Sequence, residues 1–470
     1  MRIFYRPEDG VAADVIPFFW NGTYHLFYLK DYRDPQQHGE GTPWWHLVTR
    51  DFVRFDDCGE ALPRGSIGTQ DVWVFTGSVV ERRGIFHIFY TGHNGHLKHV
   101  GRPVQAVMHA TSPDMRTWTK DREMMFFAPP GYEKDDWRDP FVFWNADASE
   151  YWMLLAARKT SGPGQRRGCV ALAASKNLRD WEVRDPFWAP DEYYTHECPD
   201  VFRIGDWWYL VYSTFSERCV THYRMSKSLS GPWLAPANDT FDGRAFYAAK
   251  TAGDGQRRFV FGWLPTREGE KDDGGWQWGG DIVAHEVLQR RDGTLAVRMP
   301  ATVEARFARP LPLSPHAVLG EWEVKNDAAR AFAFGRFSAA LLGDMPNECM
   351  IDASVTFSQA TYNCGLLLRA DTELDKQCYQ IRLEPANQRM VIDRLGRPGD
   401  QPFLLERALP LSPDRPVRLR VIADGTCLVV YADDEVALSC RMYDRRGTSW
   451  GVFVTEGEAR FDGLAITARG

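Results

Sequence analysis

Three carboxylates, Asp14, Asp139 and Glu197, stand at matching places in a repeating pattern. Asp14 lies ten residues before Tyr24, Glu197 ten before Trp207, and Asp139 twelve before Tyr151, with the extra two residues taken up by the longer turn Asn145-Ala-Asp-Ala-Ser-Glu150. Thr76 takes the same place ten residues before Phe86. A lone Asp ahead of a strand is ordinarily a turn residue. Three acids at one phase of a repeat are different, because the symmetry of the repeat carries them toward one point. Paired carboxylates are what glycosidic cleavage requires: one protonates the leaving oxygen, and the other attacks the anomeric carbon or activates water.

The elements that must position these acids are themselves repeated. A Gly/Asn/Asp turn followed by an aromatic strand recurs at Trp20–Tyr28, Glu81–Tyr90, Asn145–Leu154, Gly205–Tyr212 and Gly253–Trp263. After the first four comes a polar turn closed by an aromatic residue, at Thr49–Phe55, Ser112–Trp118, Ser175–Trp181 and Ser226–Trp233. Each unit reads as a four-stranded antiparallel sheet, and five such sheets arranged radially make a β-propeller with a funnel along its axis. The expected fold is all-β: a five-bladed propeller over residues 1–300, a Pro-rich linker over 301–319 and a β-sandwich over 320–470. The sandwich is inferred from short alternating runs such as Tyr379-Gln-Ile-Arg-Leu383 and carries no clustered acid, base or nucleophile. In a propeller, residues that open the innermost strands face the axis, so the three acids should meet at one mouth of the funnel.

Composition narrows the function further. The 470 residues are 44% hydrophobic and 25% charged, an ordinary globular balance, and the net charge of −7 argues against nucleic acid as a partner. No apolar run is long enough for a membrane span. The opening residues lack a signal-peptide pattern, which points to the cytoplasm. The nine cysteines form no Cys-x-x-Cys pair, so neither a disulfide framework nor a zinc site is indicated, and no metal or cofactor is expected. Nor is there a Walker loop, a dinucleotide fingerprint, Gly-x-Ser-x-Gly or His-Glu-x-x-His. The 18 tryptophans would suit a cleft that stacks sugar rings, or would fill sheet cores.

Trp137-Arg-Asp-Pro-Phe141, Glu197-Cys-Pro-Asp200, Trp73-Val-Phe-Thr-Gly-Ser78 and Trp44-Trp-His46 resemble motifs of glycoside hydrolase family 32, the invertase, levanase and fructanase group. The likeness continues through Phe246–Thr251, Arg258–Trp263 and Val417–Gly425. It implies a retaining, exo-acting hydrolase of a terminal furanoside, with a β-fructoside as first choice. Asp14 would be the nucleophile, Glu197 the acid then base, and Asp139 the stabiliser of the transition state through sugar hydroxyls. Arg138 would hold Asp139 ionised, while burial near Cys198 and Pro199 would raise the pKa of Glu197. Substrate contacts are expected at Trp44, Trp73, Phe75, Ser78, Arg138, His196 and Trp263. A core or interface role is the alternative for the aromatic residues, as for Trp45, Trp276 and Trp278, and a purely structural role is the alternative for His46 and His196. Asn21 and Asn238, which fit a glycosylation pattern, read as turn residues. The loop Glu268–Trp276 is expected to affect access to the site.

The first unit departs from this pattern. Gly10-Val-Ala-Ala-Asp14-Val-Ile-Pro17 lacks the Asn and the Asp-Pro-Asn-Gly turn usual at the nucleophile, and is closer to glycoside hydrolase family 43, which acts mostly on arabinose and xylose linkages. Leu29 stands where a Gln is expected. Three alternatives therefore stay open: an arabinofuranosidase, a fructosyl transferase or difructose-anhydride-forming relative, and a catalytically silent sugar-binding propeller.

Overall fold

The computed structural model describes residues 2–371, 377–396, 403–413 and 415–470. Its first half is five antiparallel blades. Blade I comprises Val11–Trp20, Thr23–Asp31, Trp44–Thr49 and Asp56–Leu62; blade II comprises Trp73–Arg82, Ile85–His93, Gln105–Ser112 and Thr119–Phe126. Blade III comprises Tyr132–Asn145, Glu150–Lys159, Gly168–Ser175 and Glu182–Trp188. Blade IV comprises Glu197–Ile204, Trp207–Thr214 and Val220–Ser226, its outer edge completed by single bridges from Met225 to Leu234 and from His222 to Thr240. Blade V comprises Tyr247–Gly253, Arg258–Arg267, Trp276–Gln289 and Leu295–Arg298. The first strand of each blade touches the first strand of the next, and that of blade V touches that of blade I, which closes the ring. Closure is reinforced where Ala12 pairs with Gly280 and Tyr5 with Ile282.

The repeated sequence signatures have direct structural causes. In the polar turns, Asp51, Asp114 and Asn177 each accept two backbone N–H groups that follow in the chain, the Asx geometry that makes these residues good turn formers. The aromatic residue closing the turn then packs across to the preceding blade: Trp118 meets Phe27 edge-on at 5.9 Å and Trp181 meets Phe89 at 5.4 Å. Each unit thereby supplies part of its neighbour's core.

The second half is a sandwich of two antiparallel sheets. One follows the order Trp322–Lys325, Ala328–Phe332, Glu458–Ala468, Glu348–Phe357, Val417–Asp424, Cys427–Ala432, Val436–Arg441. The other runs His316–Leu319, Phe337–Asp344, Ser449–Thr455, Asn363–Ala370, Cys378–Glu384, Arg389–Leu395, Leu405–Ala408. Between them lies an aliphatic core that includes Leu366, Ile381, Leu419 and Val452, each fully buried. Residues 301–319, read from composition as a linker, are more ordered than that. They hold the helical turn Ala301–Glu304, and both Arg309–Pro310 and His316–Leu319 join sandwich sheets.

The two halves share an interface with its own apolar cluster, where Met350, Ile422, Val429 and Tyr431 pack among propeller residues. Buried polar bonds cross it. Arg441 donates to the carbonyls of Leu264 and Pro265 and pairs with Asp281, while His285 bridges Asp242 at 2.9 Å and Tyr431 at 2.8 Å. Asp272, in the loop between the last long strands of blade V, accepts from the Tyr379 hydroxyl at 2.7 Å and the Tyr443 N–H at 2.9 Å.

Candidate active site

Each blade's first strand carries a register shift near its cavity end: between Ala13 and Ile16, between Phe75 and Gly77, opposite Leu154 to Ala156 in blade III, between Glu197 and Asp200, and between Tyr247 and Lys250. Bulges of this kind re-aim side chains, and they concentrate beside active sites. In blades I and III the residue forced into the left-handed region is the carboxylate itself, Asp14 at φ 40° and Asp139 at φ 58°; in blade IV it is Cys198, next to Glu197, at φ 51°. A non-glycine residue held at positive φ is strained, and surrounding structure must hold it there.

The three acids line one cavity of about 1120 Å³. Asp14 accepts from Thr76 Oγ1 at 2.6 Å and from Trp263 Nε1 at 3.1 Å. Enclosure by protein, helped by the nearby charges of Asp139 and Glu197, pushes its carboxyl up to about 7. Glu197 accepts from Arg138 Nη2 at 3.0 Å and from the Tyr247 hydroxyl at 2.5 Å. Burial raises its pKa above the ordinary glutamate value, assisted by Asp139 and opposed by Arg138. Asp139 accepts the Cys198 N–H at 3.0 Å, and its own N–H donates to Thr91 Oγ1 at 2.8 Å.

The Arg138 guanidinium lies between acids. It donates to Asp136 at 2.8 Å as well as to Glu197, and its Nε is 3.8 Å from Asp139. Its shorter contacts are thus with Glu197 and Asp136, a different arrangement from the simple Arg138–Asp139 pair expected from the adjacent sequence. Successive strand residues point to opposite faces, and the bulge at Asp139 breaks even that relation.

Of the residues expected to touch substrate, Trp73, Phe75, Arg138 and Trp263 line the cavity. Trp44, Ser78 and His196 do not. Trp44 is fully buried, with its Nε1 donating to the Phe75 carbonyl, and Ser78 Oγ accepts from the Val142 N–H in the wall between blades II and III. His196 points away from the axis into an aromatic nest of Trp188, Tyr193 and Tyr212. His46 is likewise structural, bonded to His25 at 3.0 Å and stacked on Phe27 at 4.2 Å.

Sequence reasoning missed two groups of cavity residues. Tyr247 opens the innermost strand of blade V as Glu197 opens that of blade IV, a signal that the count of positions already contained. The rim formed by Asp31, which ends a blade I strand, and by Tyr32, Arg33, Asp34 and Glu40 in the segment that follows lies outside the phase count. Opposite stand Trp276, Gln277 and Trp278, at the end of the loop expected to affect access.

Hydrogen-bonded carboxylates, Asp139 buried and Asp14 and Glu197 partly so, converge on a sugar-sized cavity, the kind of site that glycosidases use. Residues 6–293 match the glycosyl hydrolases family 32 N-terminal domain, and residues 327–468 match the C-terminal domain of the same family. The chain belongs to glycosyl hydrolase family 32. It is 26% identical over 460 residues to sucrose-6-phosphate hydrolase of Escherichia coli, a match covering 93% of this chain and 88% of that one. It is 31% identical over 502 residues to levanase of Bacillus subtilis (strain 168), covering 95% and 67% respectively. Against raffinose invertase of Escherichia coli the identity is 30% over 322 residues, covering 63% of each chain. Exo-inulinase from Aspergillus awamori shares the fold, with a TM-score of 0.74 at 18% identity over 100% of this chain and 99% of that one. No helix among the described residues is long and apolar enough to cross a membrane.

Proposed function

We propose that this chain is a retaining β-fructofuranosidase that removes a terminal fructosyl unit from an oligosaccharide, with Asp14 as nucleophile, Glu197 as acid and base, and Asp139 as transition-state stabiliser. The observation that carries this reading is the pair of opposed environments around Asp14 and Glu197. Among the described residues Asp14 is bonded by neutral donors, the Thr76 hydroxyl and the Trp263 indole, so when ionised its charge remains available for attack. Glu197 instead receives a guanidinium and a phenol, groups that stabilise the carboxylate left after its proton has gone.

The chemistry follows in two displacements. In the first, Asp14 Oδ bonds to the anomeric carbon as the glycosidic C–O bond breaks, and the proton of Glu197 passes to the departing oxygen. In the second, Glu197 takes a proton from water, the water oxygen bonds to the anomeric carbon, and Asp14 leaves as carboxylate. Asp139, fixed by the Cys198 N–H, faces the cavity to accept hydrogen bonds from sugar hydroxyls as positive charge develops on the ring.

The test is sugar release from a panel of sucrose, raffinose, short levan and inulin oligomers and arabinofuranosides, with the anomer of the first product followed by NMR. Release of β-fructose as the initial anomer supports the reading. Cleavage confined to arabinofuranosides, initial release of the inverted anomer, or binding without turnover would each overturn it.

A further inference from the structure

We infer that the cavity selects uncharged fructosides and discriminates against sugar phosphates, even though relatives of this chain include sucrose-6-phosphate hydrolases. This rests on the fructosidase reading above and concerns what the leaving sugar can carry. The reacting bond lies at the floor with Asp14 and Glu197, so the leaving sugar must occupy the rim. Seven carboxylates line this cavity against two guanidinium groups, Arg33 and Arg138. Arg138 is committed at the floor to Asp136 and Glu197. Arg33 spans the rim: its Nη2 donates to Thr266 Oγ1 at 3.1 Å and to the Trp278 carbonyl, and its Nε faces Asp31 at 3.2 Å. The nearby Arg64 is turned to the backbone, donating to the carbonyls of His38, Gly39, Glu40 and Gly41.

The carboxylates Asp31, Asp34 and Glu40 occupy the same rim, the last two exposed. Asp34 Oδ1 caps the following helical turn through the N–H groups of Gln36 and Gln37, and Glu40 meets His96 at 2.9 Å. Carboxylates accept hydrogen bonds from sugar hydroxyls, and the rings of Phe75 and Trp278, with centroids 6.4 Å apart, offer apolar surface beside them. A neutral polyol satisfies that combination. A phosphate dianion placed there meets the like charge of Asp31, Asp34 and Glu40, while Arg33 directs Nη2 and Nε to Thr266, the Trp278 carbonyl and Asp31, and Arg244 and Arg267 lie over the Trp276 ring at 4.7 and 5.4 Å.

The experiment compares kcat/KM of the intact chain for sucrose, sucrose 6-phosphate and raffinose at low and high salt, and repeats it with Asp34→Asn/Glu40→Gln. Sucrose should exceed sucrose 6-phosphate by at least about tenfold at low salt, and the gap should shrink at high salt as like-charge repulsion is screened. The double substitution should raise kcat/KM for sucrose 6-phosphate itself several-fold at low salt, a gain that the loss of a hydroxyl contact to sucrose does not produce. Equal or better use of sucrose 6-phosphate, or a ratio indifferent to both salt and the substitutions, would overturn the charge reading and leave the fructosidase intact. If neither these three nor the levan and inulin oligomers are cleaved, both readings fall.

Discussion

The propeller floor and the sandwich core are built from the same material and do opposite things with it. Both are antiparallel strands rich in buried aliphatic residues. The sandwich brings two sheets face to face, and Leu366, Ile381 and Val452 of one sheet are buried with Leu419 of the other between them. The propeller arranges five sheets around an axis that their side chains do not fill, and strained, bulged strand ends deliver acids into the opening. Stability is therefore drawn from apolar burial in one half, while in the other some stability is given up to keep charges in a low-polarity place.

The sharpest way to break this comparison is at the acids. Asp14→Asn and Glu197→Gln should each lower turnover of a fructoside by at least ~10³-fold, about 4 kcal/mol of transition-state stabilisation, with the circular dichroism spectrum unchanged. A variant that keeps full activity would remove that residue from the mechanism. Next comes the sandwich. Leu366→Ala should cost about 3 kcal/mol of stability by leaving a void in a close-packed core, and turnover per folded molecule should stay within about twofold of the parent. Denaturant unfolding and active-site titration on one preparation measure both.

The third test reads the cost of the floor directly. Because Asp14 titrates at about 7 when folded against 3.8 ordinarily, the folded chain holds a proton that the unfolded chain releases between those values. Its contribution to stability therefore falls as pH rises through that window. Asp14→Asn should stabilise the protein by about 2 kcal/mol near pH 8 and by little near pH 4, measured as the difference in unfolding free energy from the parent. An equal effect at both pH values would mean that Asp14 is not desolvated. The smallest effect is at the rim, where Trp278→Ala should raise KM about fivefold while kcat changes less, a loss of about 1 kcal/mol in ground-state contact.

The architecture was largely legible because each blade repeats its turn chemistry and its interlocking aromatic residues. Counting phase along that repeat also isolated Asp14, Asp139 and Glu197. It failed where the backbone leaves regular geometry. The bulges alter which neighbours share a face, so Ser78, within the Trp73–Ser78 motif, and His196, beside Glu197, point into blade packing. Trp44 lies where two blades meet, and its indole is used up on the Phe75 carbonyl. The rim carboxylates Asp34 and Glu40 lie in a loop with neither hydrophobic period nor repeat partner.

Asp272 has a consequence for how this protein responds to heat. It is almost wholly buried, it sits in the loop that carries on to Trp276 and Trp278, and the groups that hold it, Tyr379 and Tyr443, belong to the sandwich. One wall of the sugar cavity is thus anchored in a domain that touches no reacting atom. Heat that loosens the sandwich should therefore remove that anchor, and binding of the leaving sugar should weaken with it, which KM measured against temperature would show.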